Sequence, residues 1–471
     1  MAIDRPSRTP LSCTRRGVMR GLAALAAGAT RVVRAGAEPG LKLATFSADV
    51  TIPPNHPCMG GGIPPAREVD DPLLARGVVL LGPEKPVVIV AVDWCEIRND
   101  AYERWRSALA EAAGTEPSRV LVSSVHQHDA PVVDLTAERL LRAHKAKGSV
   151  CDPEFHERAV LRVADALRDG LTRARRLTHV GTGMARVEKV ASNRRYLTPE
   201  GTPAFGRTSA TRDAYARAQP EGTVDPMLRT LSFWDGDRPF AALNVYSTHP
   251  MSLYGQGHVS ADFVGDARRR RQDDDPSVFQ MYLSGCSGNV TAGKFNDGSP
   301  KNRAALADRV YDAMARAWKA TERHPLSAVA FRSVPLRLAP RIEPGFSADE
   351  LTRRMTSDPK PFAQCLAAMG LSWRKRVDTG QAIDLPRVDL GPALVVLMPG
   401  ESFVEYQLLA QQLRPDKFVV TLGYGECATG YIPTERAVAE KDTNLHDWCW
   451  VAPGAEAVVR AALEKLLGRP S

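Results

Sequence analysis

The chain has 471 residues, 44% hydrophobic and 25% charged, which supplies a large core and excludes a fibrous or disordered protein. The formal net charge is +8, yet residues 1–37 hold seven arginines and one acid, so +6 of it lies in that tail. The rest is near neutral, which argues against nucleic acid as a partner.

The tail reads as an export signal. Thr14-Arg15-Arg16-Gly17-Val18-Met19 resembles a twin-arginine motif, a weakly apolar run spans Gly21 to Ala27, and Ala35-Gly36-Ala37 suits a cleavage site. The plainer alternative is a disordered basic N-terminus. The apolar run falls far short of the ~20 residues of a membrane span, and no other stretch qualifies, so no transmembrane segment is expected. The expected location is periplasmic or extracellular, and the domain expected to follow covers 38–471.

Ala44 to Val50 reads as a strand that Pro53-Pro54 breaks, because proline lacks the N–H a ladder needs. Met59-Gly60-Gly61-Gly62 is a loop. Gly77–Leu81 and Pro86–Asp93 form a hairpin across Gly82–Lys85. Ala101, Trp105, Leu109 and Ala112 recur at helical spacing over Asn99–Ala113, with Asn99 as N-cap. The short strand Val120-Leu121-Val122 then runs into Ser123–Pro131. Asp152–Arg173 is a helix with Pro153 at its start. Residues 178–190 read as a strand, and 191–226, rich in Gly, Pro and Thr, as a long loop of the kind that is often functional.

Leu228–Trp234 and Pro239–Tyr246 pair across Asp235-Gly236-Asp237. Val278–Leu283 is a buried strand entering Gly285–Thr291, and Asn302–Trp318 is a helix. Leu326–Leu338 is mainly strand, 347–369 is helical, and Ala393–Met398 is a strand that Pro399-Gly400-Glu401 turns into a helix over 402–413. Phe418–Leu422 is a strand and Ala455–Leu467 a closing helix. The irregular alternation predicts an α/β (mixed α+β) fold: a large mixed β-sheet core covered by helices, in one domain. No internal repeat is visible. Eight cysteines are widely spaced with no CxxC pair, and read mostly as small buried hydrophobes, with no disulfide assignable.

Four segments share one layout, an apolar strand ending in polar residues: His126-Gln127-His128-Asp129, His249, Glu401 and Tyr431. Loops above strand ends are where mixed-sheet enzymes place their chemistry. Zinc takes imidazole nitrogen and carboxylate oxygen and leaves a position for water. On an extended backbone, His126 and His128 project both rings to one side. Each residue has a plainer reading. His249 before Pro250 fits a satisfied core histidine, Glu401 the N-terminal end of a helix, and Tyr431 a packed aromatic.

In order along the chain, Asp49–Pro54, Met59-Gly60-Gly61, Asp71–Arg76, Ser124–His128, Thr248-His249-Pro250 with Ser260-Ala261-Asp262, Gly288–Thr291, Pro399-Gly400-Glu401 and Tyr431–Thr434 resemble the successive motifs of the neutral/alkaline, non-lysosomal ceramidases. The ordered set is specific where each motif alone is loose. The resemblance covers the family's N-terminal catalytic domain, from about Leu43 to Glu435, and the sequence ends where the family carries an immunoglobulin-like domain. It implies zinc held by His126, His249, Glu401 and Tyr431, with His128 polarising the substrate and Arg194 holding the developing oxyanion. The family's serine, nucleophile or neighbour of the zinc water, falls at Thr291, and Asn289 stands for an aspartate.

The expectation is an exported zinc amidohydrolase acting on ceramide or a related acyl-amide small molecule. A zinc hydrolase of another amide or ester is the alternative, and a non-catalytic binding protein on the same scaffold the third reading. The sequence specifies no oligomeric state.

Overall fold

β-branched residues set the first strands. Leu74–Leu81 and Val87–Val92 are nearly all buried and pair antiparallel, Val79 opposite Val88, across a short turn. The computed structural model describes residues 40–468. The basic tail and the boundary expected near residue 37 lie outside the described residues.

Lys42–Asp49, Leu74–Leu81 and Val87–Val92 form an antiparallel meander. Helix Asn99–Ala113 crosses over to a fourth strand, Val120–Ser124, parallel to the third. The same order returns in His179–Arg186, Met227–Asp235, Arg238–Tyr246, helix Asp262–Asp274 and Phe279–Ser284. It returns again in Ala330–Leu336, Ile383–Leu390, Ala393–Leu397, helix Val404–Leu413 and Phe418–Leu422. Each unit ends in a helix packed on its own first strand: Pro153–Leu171, Pro300–Lys319 and Ala455–Leu467. The fold is thus a threefold topological repeat that the sequence conceals. Apolar strands and connection handedness define the unit, and neither requires matching residues.

This topology decides where loops gather. In each unit the first, third and fourth strands run in one direction, so the first-to-second connection and the segments leaving the third and fourth strands emerge at one edge. The tight turns between second and third strands lie at the other. At the loop edge the three fourth strands join. Ser124 N–H donates to Tyr424 O at 3.0 Å, Gly423 N–H to Ser284 O at 2.8 Å, and Ser284 Oγ to Val125 O at 2.7 Å. Beyond the strand ends parallel pairing resumes briefly, with Glu96 beside Val132, His249 beside Thr291 and Glu401 beside Tyr431.

The mixed α/β architecture is as expected, with strands divided among three larger sheets and several two-stranded pieces, and no barrel. Five local readings change. Asn99 is the first helical residue, at φ 49°, and caps nothing; its side chain donates to Asp134 and Ser372 while its N–H donates to Glu426. The helix expected over 347–369 is two, Ala348–Ser357 and Pro361–Asp378, interrupted where Pro359 and Pro361 remove backbone donors. The 191–226 loop contains a short helix, Ala214–Ala218. Helix Asp262–Asp274 has no apolar stripe to announce it, since two of its buried residues are Arg268 and Arg271. Strand Ile383–Leu390 is masked in the sequence by Pro386 and two aspartates.

All seven cysteines among the described residues are buried and unpaired. No helix of the described residues is long and apolar enough to cross a membrane.

His156 is fully buried against Trp94 and Trp105, with neither ring nitrogen hydrogen-bonded. Burial pushes its pKa down to about 4. The native state therefore resists protonating a group that the unfolded chain protonates near pH 6.5, so this contribution to stability is complete above that pH and is lost as pH falls toward 4. The loss reaches about 3 kcal/mol. Urea unfolding of His156→Phe between pH 7 and 4 should show a correspondingly flatter dependence than the parent chain; equal slopes contradict the assignment.

Candidate functional site

Each site residue stands just past a strand end. His126 follows Val120–Ser124 and has φ 73°, a left-handed conformation unusual for a side-chain-bearing residue. The extended backbone expected for His126 and His128 is therefore absent, and their rings stand perpendicular at 5.1 Å. The His126 ring stacks on Tyr424 at 4.1 Å, and its Nδ1 lies 2.8 Å from the Cys95 carbonyl. His249 follows Arg238–Tyr246, with Nδ1 at 2.7 Å from the Ser287 carbonyl. Glu401 precedes its helix, which starts at Val404, so its carboxylate does not serve the helix end.

Glu401 Oε2 lies 2.9 Å from His249 Nε2 and 3.3 Å from His126 Nε2. The carbonyls at both Nδ1 positions call for the Nδ1–H tautomer, which leaves both Nε2 lone pairs facing an anion. Three electron-rich atoms in a buried space repel one another unless a cation stands among them. The donor set suits zinc: three ligand atoms within 4.8 Å, two of them imidazole, each imidazole braced by a carbonyl from behind. Burial and then the Arg194 charge push His249 down to about 4. Burial pushes the Glu401 carboxyl up, but the two histidines outweigh it and leave it well below the usual carboxylate range. Burial thus favours a neutral His249, the form a metal needs.

Arg194, from the long loop of the second unit, is buried beside this cluster. Its Nη1 donates to Tyr431 OH at 2.6 Å, and its Nη2 is 3.3 Å from His249 Nε2. Burial pushes the Tyr431 phenol up, while Arg194 pulls the other way. Tyr431 stands beside Glu401 in parallel register and faces the same cavity. That cavity has a volume of about 350 Å³. Cys95, His126, His128, Arg194, Glu401 and Tyr431 form its polar wall, with Met59, Met251, Tyr254 and Trp448 around it. Neither nitrogen of His128 has a partner, and burial, reinforced by His126 and His249, drives its pKa well below the ordinary value. A neutral ring with both nitrogens free can donate to or accept from a bound molecule.

Thr291 is not brought to this wall. It is fully buried, its hydroxyl donating to the Arg207 carbonyl at 2.9 Å and accepting from the Gly293 N–H at 3.0 Å. Hydroxyl-bearing residues that line the cavity are Thr208, Ser209, Tyr254, Tyr431 and Thr443, the first two following Arg207, whose carbonyl accepts from Thr291. Asn289 accepts from the Val404 N–H and donates to Glu405, holding the start of a helix.

Sequence reasoning missed Cys95, Thr208, Ser209, Tyr254 and Trp448. Cys95 follows a strand end and was open to the same argument as His249. Tyr254 had no signal, because its position depends on Asp129, whose carboxylate accepts the N–H groups of Gly255, Gln256 and Gly257 at 2.7–3.0 Å. This clasp sets the Tyr254 ring 5.3 Å from that of His128.

No protein-family model matches the chain, and no curated protein does. Solved structures do. A neutral ceramidase from Pseudomonas aeruginosa aligns with a TM-score of 0.66 over 91% of this chain and 74% of its own, at 16% identity. A ceramidase complexed with C2 aligns with a TM-score of 0.67 over 91% and 75%, at 15% identity. The chain has the neutral-ceramidase fold.

Replacing Asp129 with Ala leaves three backbone donors without their acceptor. The variant should lose about 2 kcal/mol of stability. Hydrogen exchange at Gly255, Gln256 and Gly257 should accelerate, and unchanged exchange contradicts the clasp.

Proposed function

We propose that this chain is a zinc-dependent hydrolase of an N-acyl amide, of the neutral-ceramidase type, exported through its twin-arginine tail. One observation carries the reading: two buried imidazoles, each braced at Nδ1 by a carbonyl, aim their Nε2 atoms at one carboxylate. The shared fold adds to it. His126, His249, Glu401 and Tyr431 would hold the ion. Bound there, zinc supplies Lewis-acid polarisation of the amide carbonyl and a nucleophilic water at neutral pH.

The chain's own residues do the rest. Arg194 is a fixed cation, already oriented by Tyr431 and His249, and stabilises negative charge developing on the carbonyl oxygen. His128 presents an unpaired ring nitrogen to the same oxygen. Thr291 acts through the Arg207 carbonyl and keeps Thr208 and Ser209 at the wall. Met59, Tyr254 and Trp448 provide apolar contact for the acyl group.

A short-chain fluorescent ceramide assayed beside simple acyl esters tests the substrate. Amide turnover should dominate, disappear on chelation and return with zinc. His126→Ala and Glu401→Ala should abolish zinc retention and turnover together. Arg194→Ala should keep zinc and lose about a hundred- to a thousandfold in kcat. Preference for esters moves the reading to another acyl substrate, and full turnover in the chelated protein removes it.

A further inference from the structure

A second cavity, of about 430 Å³, opens between the first and second units and shares no residue with the site above. Its walls carry three arginines, Arg76, Arg173 and Arg175, and no carboxylate. None of the three forms an ion pair among the described residues, whereas the adjacent Arg176 is paired with Asp235. Two nearby carboxylates are already engaged: Asp93 accepts from both Nη atoms of Arg268 at 2.7 Å, and Asp275 accepts from the Ser277 hydroxyl at 2.6 Å and its N–H at 3.1 Å.

Two of the three arginines lie against aromatic rings, while Arg173 is exposed. The Arg76 guanidinium lies 4.1 Å over the Phe279 ring, and that of Arg175 lies 4.6 Å over Phe240. Stacking immobilises the flat group and leaves its in-plane N–H edge free, the edge that recognises tetrahedral oxyanions in a bidentate fashion. Arg76 spends one Nη on the Gln272 side chain at 2.7 Å, and its Nε is buried without an acceptor. Burial and the neighbouring Arg268 charge push the Arg76 group down to about 9, as expected for a cation whose counter-charge is missing. Thr45 and Ser277 line the same wall, the Ser277 hydroxyl donating to Asp275.

We propose that this cavity binds a phosphate ester, the three guanidinium groups gripping the phosphate and the rings of Phe240 and Phe279 flanking the group esterified to it. Three unopposed cations match a multiply charged oxyanion better than a single carboxylate, and the volume leaves room for more than the phosphate alone. Occupancy adds a further contact between two units already joined by the Arg176–Asp235 and Arg268–Asp93 ion pairs, so it stabilises the folded chain through linkage. The phosphate has two sources, a soluble ester or the headgroup of an anionic lipid.

The experiment titrates glycerol phosphate into the full chain at constant ionic strength, following heat of binding and thermal unfolding, with sodium chloride as control. Sedimentation with phosphatidylglycerol and phosphatidylcholine vesicles forms the second arm. The double variant Arg173→Ala/Arg175→Ala removes two exposed side chains that form no ion pair, Arg175 giving up its contact with the Phe240 ring, so it should fold and retain amide hydrolysis. Saturable glycerol phosphate binding with a raised unfolding midpoint, weakened at least tenfold in the double variant, establishes the site with a soluble ester. Sedimentation with phosphatidylglycerol vesicles alone, competed by glycerol phosphate and lost in the double variant, establishes it with a lipid headgroup. Binding in neither arm, or binding that survives the double substitution, overturns the proposal, and either result is independent of whether the other cavity hydrolyses amides.

Discussion

Three parallel strand ends, bonded to one another through Ser124, Ser284 and Gly423, are the constraint on which the site depends. They come from three units with the same strand order, so the loops above them converge from three directions. The short parallel pairs past the strand ends set the last few ångströms, placing His249 beside Thr291 and Glu401 beside Tyr431. A one-residue slip in any of these ladders turns the corresponding side chain to the opposite face. The precision of the cluster is thus a property of backbone hydrogen bonds, and the side chains inherit it.

Corresponding positions in the three units hold Glu96, His249 and Glu401, and they are used differently. His249 and Glu401 face each other. Glu96 is turned into a buried network, accepting from Arg98 at 2.7 Å and from the Trp448 indole at 3.0 Å. Arg98 also reaches Asp134 and the carbonyls of Cys427 and Ala428. Removing one partner from such a network leaves a buried charge unpaired, which costs several kcal/mol. The first unit contributes His126 instead, from a turn whose positive φ is held by neighbouring backbone bonds. A threefold scaffold therefore supports a cluster with no threefold symmetry.

Thr291 is a motif residue whose hydroxyl is bonded to the backbone. Its hydroxyl is committed to the Arg207 carbonyl, and the added methyl restricts the rotamer that would release it. The segment it secures continues into Thr208 and Ser209, two of the residues that line the cavity.

Alone, the sequence determined the strands with continuous β-branched runs, the helices with a clear apolar stripe, and the identity of the polar residues that follow strand ends, because burial imposes period and composition locally. It held enough ordered motif to indicate the ceramidase architecture. It did not reveal helix Asp262–Asp274 or strand Ile383–Leu390, whose buried faces include arginine or proline, nor the threefold order of units, which rests on pairing between distant segments. Only the tertiary structure decided that Glu401 faces His249 and His126 rather than a helix end, that Thr291 turns away, and that Asp129 carries Tyr254 to the cavity. Those outcomes are contacts between residues 84 or more positions apart, set by the register of strands that no local pattern encodes.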